Sequence, residues 1–308
     1  MRILVTGGLG FIGTAVAETL RADGHQVTAM DARESTDRDP RDFLRGSVLA
    51  PADCARACAG ADTIVHSAAM HSAAAVAANP LAAIELNVKG TINLLAAGVA
   101  AGARRFIFLS SAKVYGDATR LPSAEDDALE PVETYALSKA AAEYHLHLQH
   151  ETAGIEIVIV RPFSVYGPGQ DLGSGYVGML LSSLLGQRDV TMPGRAEFRR
   201  DFVHIDDVTW LLGAAISSRS LPSMTILNAG SGEAHSLGAL LETASSITGK
   251  ETAIGFRVPS ADTLTRSHAC LQRCESLLGY RPRYSLRDGL TDTIDWFTAT
   301  GVARPAAK

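Results

Sequence analysis

The sequence predicts an α/β protein: a doubly wound parallel β-sheet covered by helices on both faces, followed by a smaller C-terminal α/β lobe. Three observations carry this expectation. The first half alternates short, continuously apolar β-rich runs with helical stretches, the pattern of strands buried on both faces. A glycine-rich segment stands where the first run gives way to the first helix. After Tyr166 the rhythm breaks into loops punctuated by Gly167-Pro168-Gly169 and Gly173-Ser174-Gly175, the mark of a differently organised lobe.

In chain order, Arg2 to Thr6 reads as a strand, Phe11 to Asp23 as a helix and Gln26 to Asp31 as a second strand. Ala61 to Ser67 and Arg105 to Ser110 read as later strands, and Glu156 to Val160 as another β-rich run. Pro80 to Gly102 and Thr134 to Thr152 carry Ala, Leu and Val at helical spacing. Beyond the loops, helices are expected over Val177 to Leu185, Val208 to Ser217, Leu237 to Thr248 and Leu286 to Thr298. A turn at Pro193-Gly194, a short strand at Thr225 to Leu227 and a frayed tail from Ala303 complete the reading.

The 308 residues, 46% hydrophobic and 20% charged, suffice for a sizeable core. A net charge of −5 gives no broad field for a polyphosphate backbone, so nucleic-acid binding is not expected. Met1 runs directly into Ile3-Leu4-Val5 without a basic leader, and no run reaches the roughly 20 apolar residues of a membrane span, so a cytoplasmic protein is expected. The cysteines fall as Cys54/Cys58 and Cys270/Cys274, each pair on one helical face. That spacing suits buried small hydrophobes in a reducing compartment better than zinc ligands, and no metal site is expected. His145, His147 and His150 read as a solvated helix side.

Two constellations carry chemistry. Thr6-Gly7-Gly8-Leu9-Gly10-Phe11-Ile12-Gly13 joins the first strand to the first helix. Gly7 permits the tight turn, Gly10 lets a pyrophosphate approach the backbone, and Gly13 allows close helix–sheet packing. The free N–H groups and positive dipole end of the helix then suit the phosphates. Asp31 follows at the end of the next strand, where a carboxylate accepts hydrogen bonds from ribose hydroxyls and repels a 2′-phosphate. The cofactor implied is NAD, although Arg33 nearby would suit NADP.

The second constellation is a buried strand ending in Ser110-Ser111, followed by Tyr135-Ala136-Leu137-Ser138-Lys139. The i, i+4 spacing sets the phenol and the ammonium on one helical face. A nearby cation favours the phenolate and would lower the tyrosine pKa toward a working range.

With these motifs the chain resembles the extended short-chain dehydrogenases, especially nucleotide-sugar epimerases and dehydratases, over nearly its whole length. The resemblance extends through His66-Ser67-Ala68-Ala69, Asn87-Val88-Lys89-Gly90-Thr91, Ser111-Ala112-Lys113-Val114-Tyr115-Gly116 and Arg161-Pro162-Phe163-Ser164-Val165-Tyr166-Gly167-Pro168. It continues in Arg200-Asp201-Phe202-Val203-His204-Ile205-Asp206-Asp207-Val208 and Asn228-Ala229-Gly230-Ser231-Gly232. It implies a Rossmann-type core over 1–163 plus about 203–228, and a substrate lobe over about 164–202 plus 229–308. It implies Ser111, Tyr135 and Lys139 as catalytic residues. Gly7, Gly10, Phe11, Ile12, Gly13, Asp31, Ala68, Ala69, Asn87 and Pro162, with Tyr135 and Lys139, would line the cofactor. Ser111, Ser164, Arg200 and Arg266 would meet the substrate, the two arginines at its diphosphate. His204 and Asp206-Asp207 are expected to start and cap a helix.

Departures from the family pattern are Ser47 in place of an adenine-contacting Asp, Ser164 in place of an Asn, and His268-Ala269-Cys270 in place of an acidic stretch. The 4,6-dehydratases of this family carry an Asp-Glu pair where this chain has Ala112 and Lys113, so dehydration is disfavoured. The expected activity is 4-epimerisation of a nucleotide sugar through a transient 4-keto sugar. The alternatives are a net dehydrogenase or 4-ketoreductase and a dinucleotide-sensing regulatory protein, which would need the glycine loop but not the Ser–Tyr–Lys set. The resemblance also implies a homodimer through the helices from Pro80 and from Thr134.

Overall fold

The computed structural model describes residues 1–35, 42–118, 120–185, 190–250, 254–258 and 264–301, so the tail expected from Ala303 lies outside the described residues. The strands are β1 Arg2–Thr6, β2 Gln26–Asp31, β3 Phe43–Arg45, β4 Thr63–His66, β5 Arg105–Leu109, β6 Glu156–Pro162, β7 Ser164–Tyr166, β8 Val190–Pro193, β9 Arg199–His204, β10 Met224–Ala229, β11 Ala234–Ser236 and β12 Ile254–Arg257.

The chain forms two compact units: Met1–Val114, Pro131–Arg161 and Thr209–Leu227 make the first, and Tyr115–Glu130, Pro162–Val208 and Asn228–Lys308 the second. A seven-stranded sheet in the order β10-β6-β5-β4-β1-β2-β3 organises the first. β1 pairs in parallel with both β2 and β4, so the winding direction reverses between β1 and β4. That reversal leaves a crevice at the carboxyl ends of the strands, the general ligand position of open α/β sheets. The strands are apolar because helices cover both faces: Ile64, Phe106, Phe108, Ile157 and Ile159 are fully buried together with Leu94 and Leu146 from flanking helices.

The helical stretch expected over Pro80 to Gly102 is interrupted. Pro80–Ile84 and Gly90–Ala100 are α-helical, and Glu85–Lys89 between them forms a π-turn. Such a turn inserts one extra residue and re-aims a side chain, here Asn87. The helix Thr134–Ala153 runs for 20 residues and stops at Gly154, whose φ of 64° is the left-handed cap that glycine accepts without strain.

The second unit holds a three-stranded sheet, β11-β9-β7, and a two-stranded sheet, β12-β8. Its core joins Leu180, Leu181, Met192, Leu240 and Leu290 with Tyr166. Residues Tyr115–Glu130, which precede the helix Thr134–Ala153 in sequence, belong to this unit and are held there by Asn228. Asn228 accepts a bond from Tyr115 Oη at 2.7 Å, donates its backbone N–H to Glu125 at 3.0 Å, and donates Nδ2–H to the Ser123 carbonyl at 2.9 Å. The short strands β3, β7, β8, β9, β11 and β12 were not expected from the sequence. They are three to six residues long.

Candidate active site

The glycine segment leaves β1 at the reversal point. Gly7 has φ of 69°, and a Cβ there would come within 2.7 Å of the Ala68 backbone nitrogen, so only glycine lets β1 turn beside the chain leaving β4. A Cβ on Gly13 would fall 2.1 Å from the Gly7 carbonyl oxygen. At Gly10 the only near neighbour of such a Cβ would be that same oxygen at 3.2 Å, so the other side of the loop is open to a ligand approaching the backbone. Gly10 is also the N-cap of the helix Phe11–Ala22, with no side chain over the first turn and no acidic residue in it. Phe11 and Ile12 form that turn, half-buried. An open glycine cradle ending in free N–H groups and a positive dipole end fits the pyrophosphate of a dinucleotide.

Asp31 ends β2 and is buried. Burial alone would raise its pKa, but bonds from the Arg33 side chain, the Arg33 backbone and the Leu9 backbone outweigh it, and the carboxyl is held below its usual range. Arg33 grips it with both arms of the guanidinium, Nε to Oδ1 at 3.0 Å and Nη2 to Oδ2 at 3.1 Å. Leu9 N–H donates to Oδ2 at 3.1 Å, so the same carboxylate ties the glycine loop to β2. Ser47, at the departure from an adenine-contacting Asp, uses its hydroxyl to accept the Leu49 N–H at 3.2 Å.

The three residues expected to be catalytic lie near the carboxyl end of β5 and on the helix Thr134–Ala153. Ser111 hydrogen-bonds the Tyr135 phenol. Lys139 is buried one turn further along the helix. Its ammonium donates to the Leu109 carbonyl at 2.7 Å and lies 4.6 Å from the centre of the Phe108 ring. The expected lowering of the tyrosine pKa is not what this arrangement produces. Burial pushes the Tyr135 phenol up to about 12, eased by the bond to Ser111 and reinforced by the charge of Glu133. Lys139, turned onto Leu109, loses charge stability itself: burial draws it down to about 7, against the favourable field of Glu143.

Asn87, raised by the π-turn, accepts the Met70 N–H at 2.8 Å, donates to the Met70 carbonyl at 3.1 Å and donates to Ser138 Oγ at 2.9 Å. Ser138 in turn donates to the Tyr135 carbonyl at 2.7 Å, so Asn87 braces the turn of helix that carries the phenol. Ala68 and Ala69 lie half-buried after β4, with Ala68 against Gly7. Pro162 ends β6, buried.

One carboxylate escaped the sequence reading. The absence of an acid at Ala112 and Lys113 spoke against dehydration, yet Glu133, 20 residues downstream, reaches this place. Its Oε1 lies 2.5 Å from the Lys113 ammonium. The side chain is thus present but held in an ion pair. The only sequence signal was its position two residues before Tyr135, at the helix entry.

In the second unit, Arg200 lies on β9 and is buried, with Nη2 donating to Tyr176 Oη at 3.1 Å and the guanidinium 5.2 Å from that ring. Arg266 is exposed, on a segment that bridges to Arg199, the residue before Arg200 in β9. Asp117 anchors that segment by accepting the backbone N–H groups of Thr265 at 2.8 Å and Arg266 at 3.2 Å. Ser164 begins β7, in register with Phe202. Ile205–Ser217 is helical with Asp206 and Asp207 in its first turn, and His204 is buried against Tyr284, their ring centres 3.9 Å apart. The four cysteines are free thiols. No helix among the described residues is long and apolar enough to cross a membrane, and no group of metal-binding side chains occurs among them.

Residues 3–230 match the NAD dependent epimerase/dehydratase family. The chain belongs to that family. It is 30% identical to a UDP-glucose 4-epimerase of Mycolicibacterium smegmatis, across 96% of this chain and 98% of that protein. Among solved structures, MoeE5 in complex with UDP-glucuronic acid and NAD superposes with a TM-score of 0.91 at 29% identity, covering 97% of this chain and 100% of that one. The UDP-glucose 4-epimerase of Thermus thermophilus in complex with NAD gives a TM-score of 0.88 at 29% identity, covering 97% and 99%. The fold is thus the Rossmann-type doubly wound core expected, and the cofactor of the family is NAD.

Proposed function

We propose that this family member is an epimerase of a nucleotide sugar, acting at C4 through transient oxidation to a 4-keto sugar. The observation that carries the reading is the hydrogen bond between Ser111 and the Tyr135 phenol, with Lys139 one turn along the same helix. Bound NAD supplies a hydride acceptor that also returns the hydride. Tyr135 takes the proton of the C4 hydroxyl as carbon is oxidised, and gives it back after the keto sugar has turned over. Ser111 holds the reacting oxygen, and Lys139 favours the phenolate once its ammonium is drawn from Leu109. Asp31 receives the adenosine ribose, and the Gly7–Gly13 loop the pyrophosphate. Arg200 and Arg266 bind the substrate diphosphate, for which guanidinium forks are suited. Glu133 is paired with Lys113 and does not serve as the second acid or base that loss of water needs.

A homodimer is part of the proposal. The helices beginning at Pro80 and Thr134 pack on each other and leave Leu81 77% and Leu148 72% exposed, with Leu137 and Tyr144 also open. Such an apolar stripe fits a second copy of the same helices. The free thiols support a cytoplasmic location.

The test is conversion of a panel of nucleotide sugars by the NAD-loaded protein, followed by NMR and by absorbance of reduced nicotinamide. Epimeric product without stoichiometric NADH is expected. Steady NADH accumulation matching sugar consumption would make the protein a net dehydrogenase, and a product lacking one water would make it a dehydratase.

A further inference from the structure

The turn after Ser111 carries a cation that the reaction above does not use. Lys113 donates its backbone N–H to Ser111 Oγ at 3.2 Å, and its ammonium lies 5.8 Å from the centre of the Tyr135 ring. Lys139, the other cation at these hydroxyls, is buried and turned onto Leu109. Lys113 differs: its side chain is 47% exposed, whereas its partner Glu133 is only 18% exposed. The pair therefore presents its positive end outward, beside the two catalytic hydroxyls.

Glu133 occupies the N-cap of the catalytic helix, where a carboxylate would ordinarily accept from the first free N–H groups. It makes no such bond and spends its charge on Lys113 instead. A half-exposed ion pair of this kind is worth little, so an arriving anion can take over the ammonium at small cost.

The position of the reacting carbon limits what that anion can be. In a hexose oxidised at C4, the diphosphate on C1 lies across the ring from the phenol. The substituents flanking the reaction are O3, on C3, and C6, borne by C5. In a neutral hexose C6 carries a hydroxyl; in a uronic acid it carries a carboxylate, an anion held directly on the carbon next to C5.

We propose that Lys113 is a specificity-determining residue that selects nucleotide sugars bearing a C6 carboxylate over neutral hexoses, with Glu133 as its counterion in the free protein. This rests on the nucleotide-sugar reading above and narrows its substrate class.

The experiment is calorimetric binding to the NAD-loaded protein of UDP-glucuronic acid against UDP-glucose. Glucuronic acid 1-phosphate against glucose 1-phosphate repeats the comparison independently of the base. The acidic member of each pair is expected to bind about ten- to a hundredfold tighter, the scale of one hydrogen bond to a charged group. Lys113→Met should bring the ratio close to one, Lys113→Arg should restore most of it, and Glu133→Gln should raise it by releasing the ammonium. A ratio near one in the unaltered protein, or variants that weaken acidic and neutral ligands alike, would overturn the inference and leave a merely structural ion pair. Binding of neither pair would instead overturn the nucleotide-sugar reading beneath it.

Discussion

Glu143 and Arg161 form a buried ion pair, 2.6 Å between Oε2 and Nη2, one helical turn beyond Lys139. Glu143 also accepts the hydroxyl of Ser110, the residue between the Lys139-bound carbonyl of Leu109 and Ser111. The carboxylate therefore steadies the end of β5 and lends a favourable field to Lys139. Removing one charge of a fully buried pair strands the other in low dielectric. Glu143→Gln is expected to destabilise the protein by about 3 kcal/mol, read by denaturant titration. It should also make Lys139 lose its proton at a lower pH, visible as a shifted alkaline or neutral limb in the pH–rate profile. Unchanged stability would mean that the pair contributes nothing net.

Tyr135→Phe deletes the hydroxyl that moves the substrate proton and leaves the glycine cradle untouched. Turnover should fall about a hundred- to ten-thousand-fold, while NAD affinity, followed by fluorescence titration, should stay close to that of the parent. Lys139→Ala should reduce both, because that side chain is assigned to the phenol and to the lining of the cofactor. Retained turnover in Tyr135→Phe would remove the tyrosine from the mechanism.

Arg33 neutralises Asp31 through two bonds, yet 63% of the arginine side chain is exposed. NAD is expected to bind tighter than NADP, since a 2′-phosphate would meet the buried carboxylate. Arg33→Ala should widen that difference by unmasking the charge, and Asp31→Ala should narrow it. The second variant should also loosen the glycine loop, because Asp31 accepts the Leu9 N–H. Titration of both cofactors against the three proteins decides the matter; tighter NADP binding by the parent would show that the guanidinium governs the site.

The parts of this molecule that were legible in its sequence are those whose information is local. The strand–glycine–helix junction at Thr6 to Gly13 is legible together with Asp31 at the end of the next strand, the Tyr135/Lys139 face only in combination with that junction and the Ser-ended strand, and long helices such as Leu237–Thr248 match their expected limits. What was hidden depends on contacts between distant segments. The break in the helix at Glu85–Lys89 follows from Asn87 bonding Met70 and Ser138, which no periodicity encodes. Glu133 became a site residue only when the helix entry folded beside Lys113. Likewise the orientation of Lys139 toward Leu109 depends on a backbone carbonyl 30 residues away. Motif spacing says which residues share a site; it does not say which partner each charge takes in the free protein.

His66, at the end of β4, supplies a prediction independent of catalysis. Its ring is fully buried, with Nδ1 2.7 Å from Thr6 Oγ1 and Nε2 3.0 Å from Thr91 Oγ1. Thr91 donates its own hydroxyl proton to the Asn87 carbonyl at 2.6 Å, so toward His66 it accepts, and Nε2 carries the hydrogen. Nδ1 is then left to accept from Thr6, an arrangement that requires a neutral ring. Burial, reinforced by the charge of Lys139, accordingly pulls the His66 pKa down from 6.5 to about 3. In the unfolded chain the ring takes a proton near pH 6.5. The unfolded state therefore binds more protons than the folded state between these values, so this group's contribution to stability is complete above pH 6.5 and is lost progressively as pH falls toward 3. His66→Gln, which keeps a donor and an acceptor but cannot titrate, should flatten the stability–pH curve across that window by on the order of a few kcal/mol. Denaturant midpoints of parent and variant, measured at intervals through the window, give the difference; parallel curves would mean that His66 is protonated within the fold and that its hydrogen bonds run the other way.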